Sequence, residues 1–241
     1  MTSILLIAKR DLAAYLYGLT GYIVVAAVLF IDGVLFNAFA LGSGAKYSHE
    51  VLEQFFYFCS GTTMIAAILL TMRSVAEERQ TGTDVLLATA PLGEAQVVVG
   101  KYLAAMGMLA LLTLLTVYMP LLVVVNGKVS LAHIAVGYLG LLSLGSATAA
   151  VGIFGSSLFR NQMAAAIVSG VIVVGMLLAW LVSELTDPPF TEILANMALF
   201  DKHFTPFQQG RLLTGGLVFY ASVTFAFLLM AVRILEGRRW R

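Results

Sequence analysis

Six stretches of the sequence are apolar for long enough to cross about 30 Å of hydrocarbon at 1.5 Å of rise per residue, and no other feature limits the fold as much. They run from about Gly21 to Ala40, Phe55 to Met72, Tyr102 to Val125, Ile134 to Leu158, Met163 to Val182 and Leu212 to Val232. A crossing segment must satisfy its backbone polar groups internally, which leaves the helix or the closed barrel. None of the six alternates as a barrel strand does, so the expected class is an all-α membrane protein with six transmembrane helices. Composition agrees: 60% of the 241 residues are apolar and 11% are charged, against roughly 25% charged in soluble domains. That excludes a water-soluble globule and leaves no room for a sizeable external domain. The chain therefore reads as one membrane domain over residues 1–241. The one cysteine, Cys59, supports neither an intrachain disulfide nor a thiolate metal site, and the net charge of +1 gives no reason to expect nucleic acid.

Ahead of the first span, Leu5, Ala8, Leu12, Leu16 and Leu19 recur at helical spacing, with Lys9, Arg10 and Asp11 together in one turn. Residues 1–20 are thus expected to form an amphipathic helix lying in the membrane surface. A secretory signal is the competing idea. It lacks a small-residue cleavage site after a short apolar core, so the segment reads as retained. Six spans put both termini on one side. That side collects Lys9, Arg10, Arg73, Arg79, Lys101, Arg160, Arg233, Arg238, Arg239 and Arg241, and the other collects Lys46, Lys128, Lys202 and Arg211. The positive-inside rule then expects cytoplasmic termini.

The loop over residues 73–101 is the long one on that side. Gly82 can end a helix continuing from span two. Thr83 can cap a new one, Asp84 suits its positive end, and Pro91 stops it after about two turns. Glu77, Glu78 and Arg79 can orient a docked protein, and Val85, Leu86 and Leu87 need apolar cover. The plainer alternative is a solvated turn whose leucines lie against the headgroups.

The pattern Glu78-Arg79-x-x-Gly82-Thr83-x-x-x-Leu87, then Pro91, then Gly100-Lys101, resembles the corresponding loop of ABC-2 type permeases. These are the membrane subunits of many ATP-binding-cassette exporters. Lys202-His203-Phe204-x-x-Phe207-x-x-Gly210 and Leu235-Glu236-x-Arg238-Arg239-Trp240 look like the branch containing gliding-motility permeases and the permease of nitrous oxide reductase maturation. The resemblance implies an elbow helix at the start and a coupling helix between spans two and three that sits in a groove of the ATPase. It also implies two permeases paired around a substrate route. On that likeness Glu77, Glu78, Arg79, Gly82, Thr83, Asp84, Leu86 and Leu87 carry coupling. No Walker-type phosphate loop is present in the sequence, so ATP and Mg would be bound by separate cytoplasmic ATPase subunits, two per complex. The partners so implied are those ATPases, a second copy or paralogue of the permease and membrane lipids, with an extracytoplasmic accessory subunit as a further candidate. The cell inner membrane is the implied location.

Asp32 is a candidate intramembrane polar site, because a carboxylate at mid-bilayer costs on the order of 3 kcal/mol and must face protein or water. The alternatives are a substrate or proton path, hydration near the outer headgroups, or a hydrogen bond to a neighbouring helix. Spans four and five are rich in Gly, Ala and Ser, which suits close packing within the subunit or, for span five, pairing of permeases. Pro120 is expected to kink span three. Between spans five and six, residues 183–211 form an extracytoplasmic segment in which Phe200, Phe204 and Phe207 suit an interfacial belt or a gate. His133 and His203 read as packing or surface residues. An ATPase-independent secondary transporter or channel is the rival function. It calls for charges on several spans and broken helices at mid-membrane. An intramembrane hydrolase would need a nucleophile and base at one depth, which Cys59 and the serines do not find in the spans.

Overall fold

The computed structural model describes residues 3–40, 42, 47–83, 92–127, 129–186 and 190–239. Among these residues every regular element is helical. An opening helix α1 (Ser3–Tyr17) precedes α2 (Leu19–Leu35), which runs on through a π-helical turn at Phe36–Ala40. Span two is α3 (Ser48–Thr71), followed by a turn and the short α4 (Ala76–Thr81). Span three comprises α5 (Glu94–Leu115) and α6 (Tyr118–Asn126). Spans four and five are α7 (Leu131–Leu158) and α8 (Gln162–Glu184). Two short helices, α9 (Phe190–Met197) and α10 (Thr205–Gln208), lead into span six, α11 (Thr214–Arg239). Among the described residues six helices are long and apolar enough to cross a membrane, matching the six runs in number and order.

Span three breaks where Pro120 requires it. A proline ring excludes the carbonyl four residues back and offers no N–H to it, and residue 116 is where α5 stops. The break at Thr116 and Val117 is closed by tighter bonds from Val117 N to the Leu114 carbonyl and Met119 N to the Thr116 carbonyl.

Span four is the hub, touching α3, α5, α8 and α11. Its small residues serve packing inside the subunit: Ala147, Ala149, Ala150 and Gly152 are all buried. On span five, Met163, Ile167, Val171, Val174 and Leu178 form an exposed apolar stripe. Burying such a stripe in lipid costs nothing, which is why a membrane helix tolerates it.

The two ends of the bundle are built differently. At the end where α3, α7 and α11 begin, aromatic rings fill the space. Phe55 meets Phe36 edge-on at 5.7 Å, Phe56 meets Tyr138 at 5.6 Å, and Phe204 and Phe207 are completely buried. The expected interfacial belt is therefore, for Phe204 and Phe207, a plug in the bundle. The segment carrying them is tied down by Tyr220 Oη to the Leu199 carbonyl (2.7 Å) and Leu199 N to the Met176 carbonyl (3.1 Å). His133 and His203 are packed here. His203 stacks on Phe219 at 3.8 Å, and His133 Nε2 lies 2.8 Å from the Gln208 carbonyl. The opposite end, which carries α1 and the close of α11, is basic and polar.

Candidate functional site

At the basic end, span two stops and restarts. Residues 72–75 form turns between α3 and α4, leaving the first amides of α4 without helical acceptors. Ser156, from the last turn of α7, supplies what is missing. Its Oγ accepts from Val75 N (3.0 Å) and Ala76 N (2.9 Å) and donates to the Met72 carbonyl (2.9 Å). One hydroxyl thus satisfies both sides of the break and fixes α4 to span four.

The end of α4 is set by Gly82, at φ 73°, the left-handed conformation that glycine alone adopts without strain. Its N–H bonds to the Glu78 carbonyl, as does that of Thr83 at 2.8 Å. The helix stop expected at Gly82 is present. The Thr83 hydroxyl lies 3.2 Å from the same Glu78 carbonyl, turned back to the helix just ended.

The charged side chains of α4 are engaged within the chain. Arg73 grips Glu77 through two bonds of 3.0 and 2.7 Å. Glu78 Oε1 is 2.8 Å from both Lys101 Nζ on α5 and Arg10 Nη2 on α1. Lys101 also reaches Asp11 Oδ2 at 3.2 Å and the Ser74 carbonyl at 2.5 Å, and Arg10 Nε bonds Asp11 Oδ1 at 2.8 Å. Arg79 Nη1 donates to the Ser157 carbonyl at 2.7 Å.

Lys101 is only 2% exposed. An ammonium so placed is tolerable only when its three donors are used and its charge is balanced. Here both conditions hold, with two carboxylates and a carbonyl as acceptors and Arg10 completing a neutral set of two cations and two anions. Burial works against the Arg10 charge, but Asp11 and Glu78 more than offset it and hold its pKa above the usual arginine value. Tyr15 Oη bonds the Leu70 carbonyl at 2.8 Å; burial, and then the Asp11 carboxylate, pushes its pKa up. Gly100 lets the helices meet, since a Cβ there would fall 2.8 Å from Ile7. These groups surround an open recess of about 640 Å³. Chemically it is a joint binding α1 to the cytoplasm-candidate ends of spans two and three, with span four added through Ser156.

The structure thus brings together Glu77, Glu78, Arg79, Gly82 and Thr83 from the sequence expectation. Asp84, Leu86 and Leu87, with the helix expected there, lie outside the described residues. Asp32 is elsewhere, 13 residues and about 20 Å along α2 from its start. It is buried, and its Oδ1 accepts from Thr62 Oγ1 on α3 at 2.7 Å. Arg10, Asp11, Lys101, Tyr15 and Ser156 were not legible as site residues. The available signal was Lys101 itself, a cation set into an otherwise apolar helix. Among the described residues no three His, Cys, Asp or Glu side chains converge to hold a metal.

The profile of the family described as ABC-2 family transporter protein matches residues 34–218, well over half the chain. The chain belongs to the ABC-2 transporter family. The match runs from the last part of span one into span six and takes in Glu78, Lys101 and Ser156, while Arg10 and Asp11 precede it. An ABC-2 permease is the membrane component of an ABC transporter, without a nucleotide-binding domain of its own, and works with an ABC ATPase. This is accordingly a multi-pass membrane protein. No curated protein matches the chain.

Proposed function

We propose that this ABC-2 permease couples ATP hydrolysis by two cytoplasmic ATPase subunits to export, or to mechanical work at the cell envelope, as one of a pair of permeases in the cell inner membrane. Both termini lie in the cytoplasm on this reading, supported by ten basic residues on their side against four on the other. ATP and Mg are held by the ATPases and not by this chain. The motifs around Lys202 to Gly210 and Leu235 to Trp240 support the finer placement beside the gliding-motility and nitrous-oxide-reductase-maturation permeases. The exposed apolar stripe of span five is offered to the second permease or to lipid.

One observation carries the coupling role: the segment entering residues 83–91 is fixed, through Lys101 with Glu78 and Asp11 and through Ser156, to three other parts of the chain, α5, α1 and α7. A rigid-body displacement of such a segment must be passed on to the helices, whereas a loose loop would absorb it. The division of labour among the coupling residues follows. Glu77, Glu78, Arg79, Gly82 and Thr83 hold the lever, and Asp84, Leu86 and Leu87 present its contact with the ATPase. Asp32 belongs to the joining of spans one and two.

The test is affinity purification of the tagged chain from its own membranes, with stoichiometry of any ABC ATPase that accompanies it. Leu87→Glu is expected to release that ATPase and leave the melting temperature of the permease unchanged. An active preparation that contains no nucleotide-hydrolysing subunit refutes the proposal.

A further inference from the structure

Near the basic end an open groove lies on the surface where span six packs against span four. It holds about 470 Å³ and is lined by Phe154 of α7 and by Leu229, Met230, Arg233 and Ile234 of α11. One turn further along, the two walls are joined where Arg238 Nη2 donates to the Leu158 carbonyl at 2.8 Å. Arg160, exposed, follows two residues after that carbonyl. Arg233 thus lines the apolar slot, and Arg238 and Arg160 lie beyond its basic end. Their one carboxylate partner among the described residues is Glu236, 3.1 Å from Arg233 in an exposed pair three residues apart, the kind worth little in water.

The geometry selects the occupant. Arg233 and Arg238 are five residues apart, about 7.5 Å along the helix. That is close to the thickness of one headgroup layer, which lies just beyond the hydrocarbon. A slot that is apolar along its length and cationic over that depth matches a molecule with a hydrocarbon tail and a phosphate. The excess positive charge disfavours a zwitterionic headgroup, which brings a cation of its own. Basic pockets between membrane helices hold anionic headgroups on the same physical grounds.

We infer that the groove between spans four and six binds an anionic phospholipid, with an acyl chain along Phe154, Leu229, Met230 and Ile234 and its phosphate among Arg160, Arg233 and Arg238. The site uses none of the coupling residues, so it stands whether or not the coupling role holds.

The test uses the full-length protein, delipidated in detergent and offered equal amounts of phosphatidylglycerol and phosphatidylcholine, with bound lipid counted by native mass spectrometry. Wild type is expected to retain phosphatidylglycerol preferentially. Arg160→Gln and Arg233→Gln each lower that retention about fivefold, and phosphatidylcholine stays unchanged. Arg238 is left in place because its bond joins the two helices. Met230→Trp fills the slot while sparing every charge, and is expected to lower retention of phosphatidylglycerol to a similar degree. Equal retention of the two lipids by wild type overturns the inference. So does wild-type retention by Met230→Trp, which would reduce the site to surface attraction. Displacement by soluble glycerol 1-phosphate, or by a co-purified ATPase, assigns the guanidiniums to another ligand and overturns it too.

Discussion

Replacing Lys101 by Met keeps the length and apolar body of the side chain and removes its charge. In the wild type the ammonium is 2% exposed and bonded to Glu78, Asp11 and the Ser74 carbonyl. Without it, two carboxylates face each other with Arg10 as their only shared cation, and the carbonyl loses a donor. Removing one partner of a buried ion pair costs about 3–5 kcal/mol. Asp11 and Glu78 keep 16% and 20% of their surface in contact with solvent and so retain some hydration, which places the expectation at the lower end, about 3 kcal/mol. For a chain of this size that corresponds to a fall of roughly 6–12 °C in Tm. Fluorescence-detected thermal melting in one detergent at fixed ionic strength measures it. Glu78→Gln is the companion variant, since Lys101 then keeps Asp11 and the carbonyl. The double variant is expected to lose less than the sum of the singles, by at least about 1 kcal/mol, because the two residues share one network. A Lys101→Met protein melting within 2 °C of wild type by this rough scale, together with strict additivity, refutes the claim that the joint is held by charge.

Ser156→Ala strands the Val75 and Ala76 amides; a loss of about 1–3 kcal/mol and faster hydrogen exchange at those two amides are expected. Gly82→Ala meets no steric obstacle but forces a left-handed backbone on alanine. It should cost about 1 kcal/mol in thermal melting, with exchange rising over residues 76–83 and nowhere else. His203 has its pKa lowered by burial, so the folded state binds fewer protons than the unfolded one as pH falls through the ordinary histidine range. Its stabilising contribution is complete above that range and declines below it. Between pH 7.5 and 5.5 the wild type should lose more Tm than His203→Phe, a variant that keeps a ring against Phe219; equal losses would show that His203 does not titrate as described.

The six spans could be read because each is a long, predominantly apolar run without barrel alternation, and such a run forms a helix in lipid. Pro120 and Gly82 were legible for a similar reason, since each acts on its own backbone within a turn. The joint was not. Lys101 lies 23 residues from Glu78 and 90 from Asp11, and no local rule links them. Ser156 looked like one more small residue on a helix full of them, yet its hydroxyl closes the break after span two. Phe204 and Phe207 were misassigned for the converse reason. Aromatics near a membrane surface usually meet headgroups, and only the return of residues 198–210 over the bundle end buries them.

These two kinds of contact also bear on the proposed coupling, which needs a moving connection at one end of the bundle and not at the other. The aromatic end is held by close-packed rings, and separating such surfaces opens voids that lose contact energy at once. The basic end is held by hydrogen bonds and ion pairs, and the carboxylates among their partners keep partial access to water. Those can exchange a protein partner for a solvent one at small net cost, because the net worth of such a bond is about 1 kcal/mol rather than its full strength. Ser156 and Lys101 are the exceptions, being almost wholly enclosed, and Lys101 bonds α5 to both α1 and the segment around α4. Displacing α4 therefore leaves Lys101 two choices, to follow Glu78 and the Ser74 carbonyl or to stay with Asp11. If it follows, α5 is drawn along, and Arg10, bonded to Glu78, ties α1 to the same movement; on the proposed coupling role the buried ammonium would pass the movement of a six-residue helix to a span.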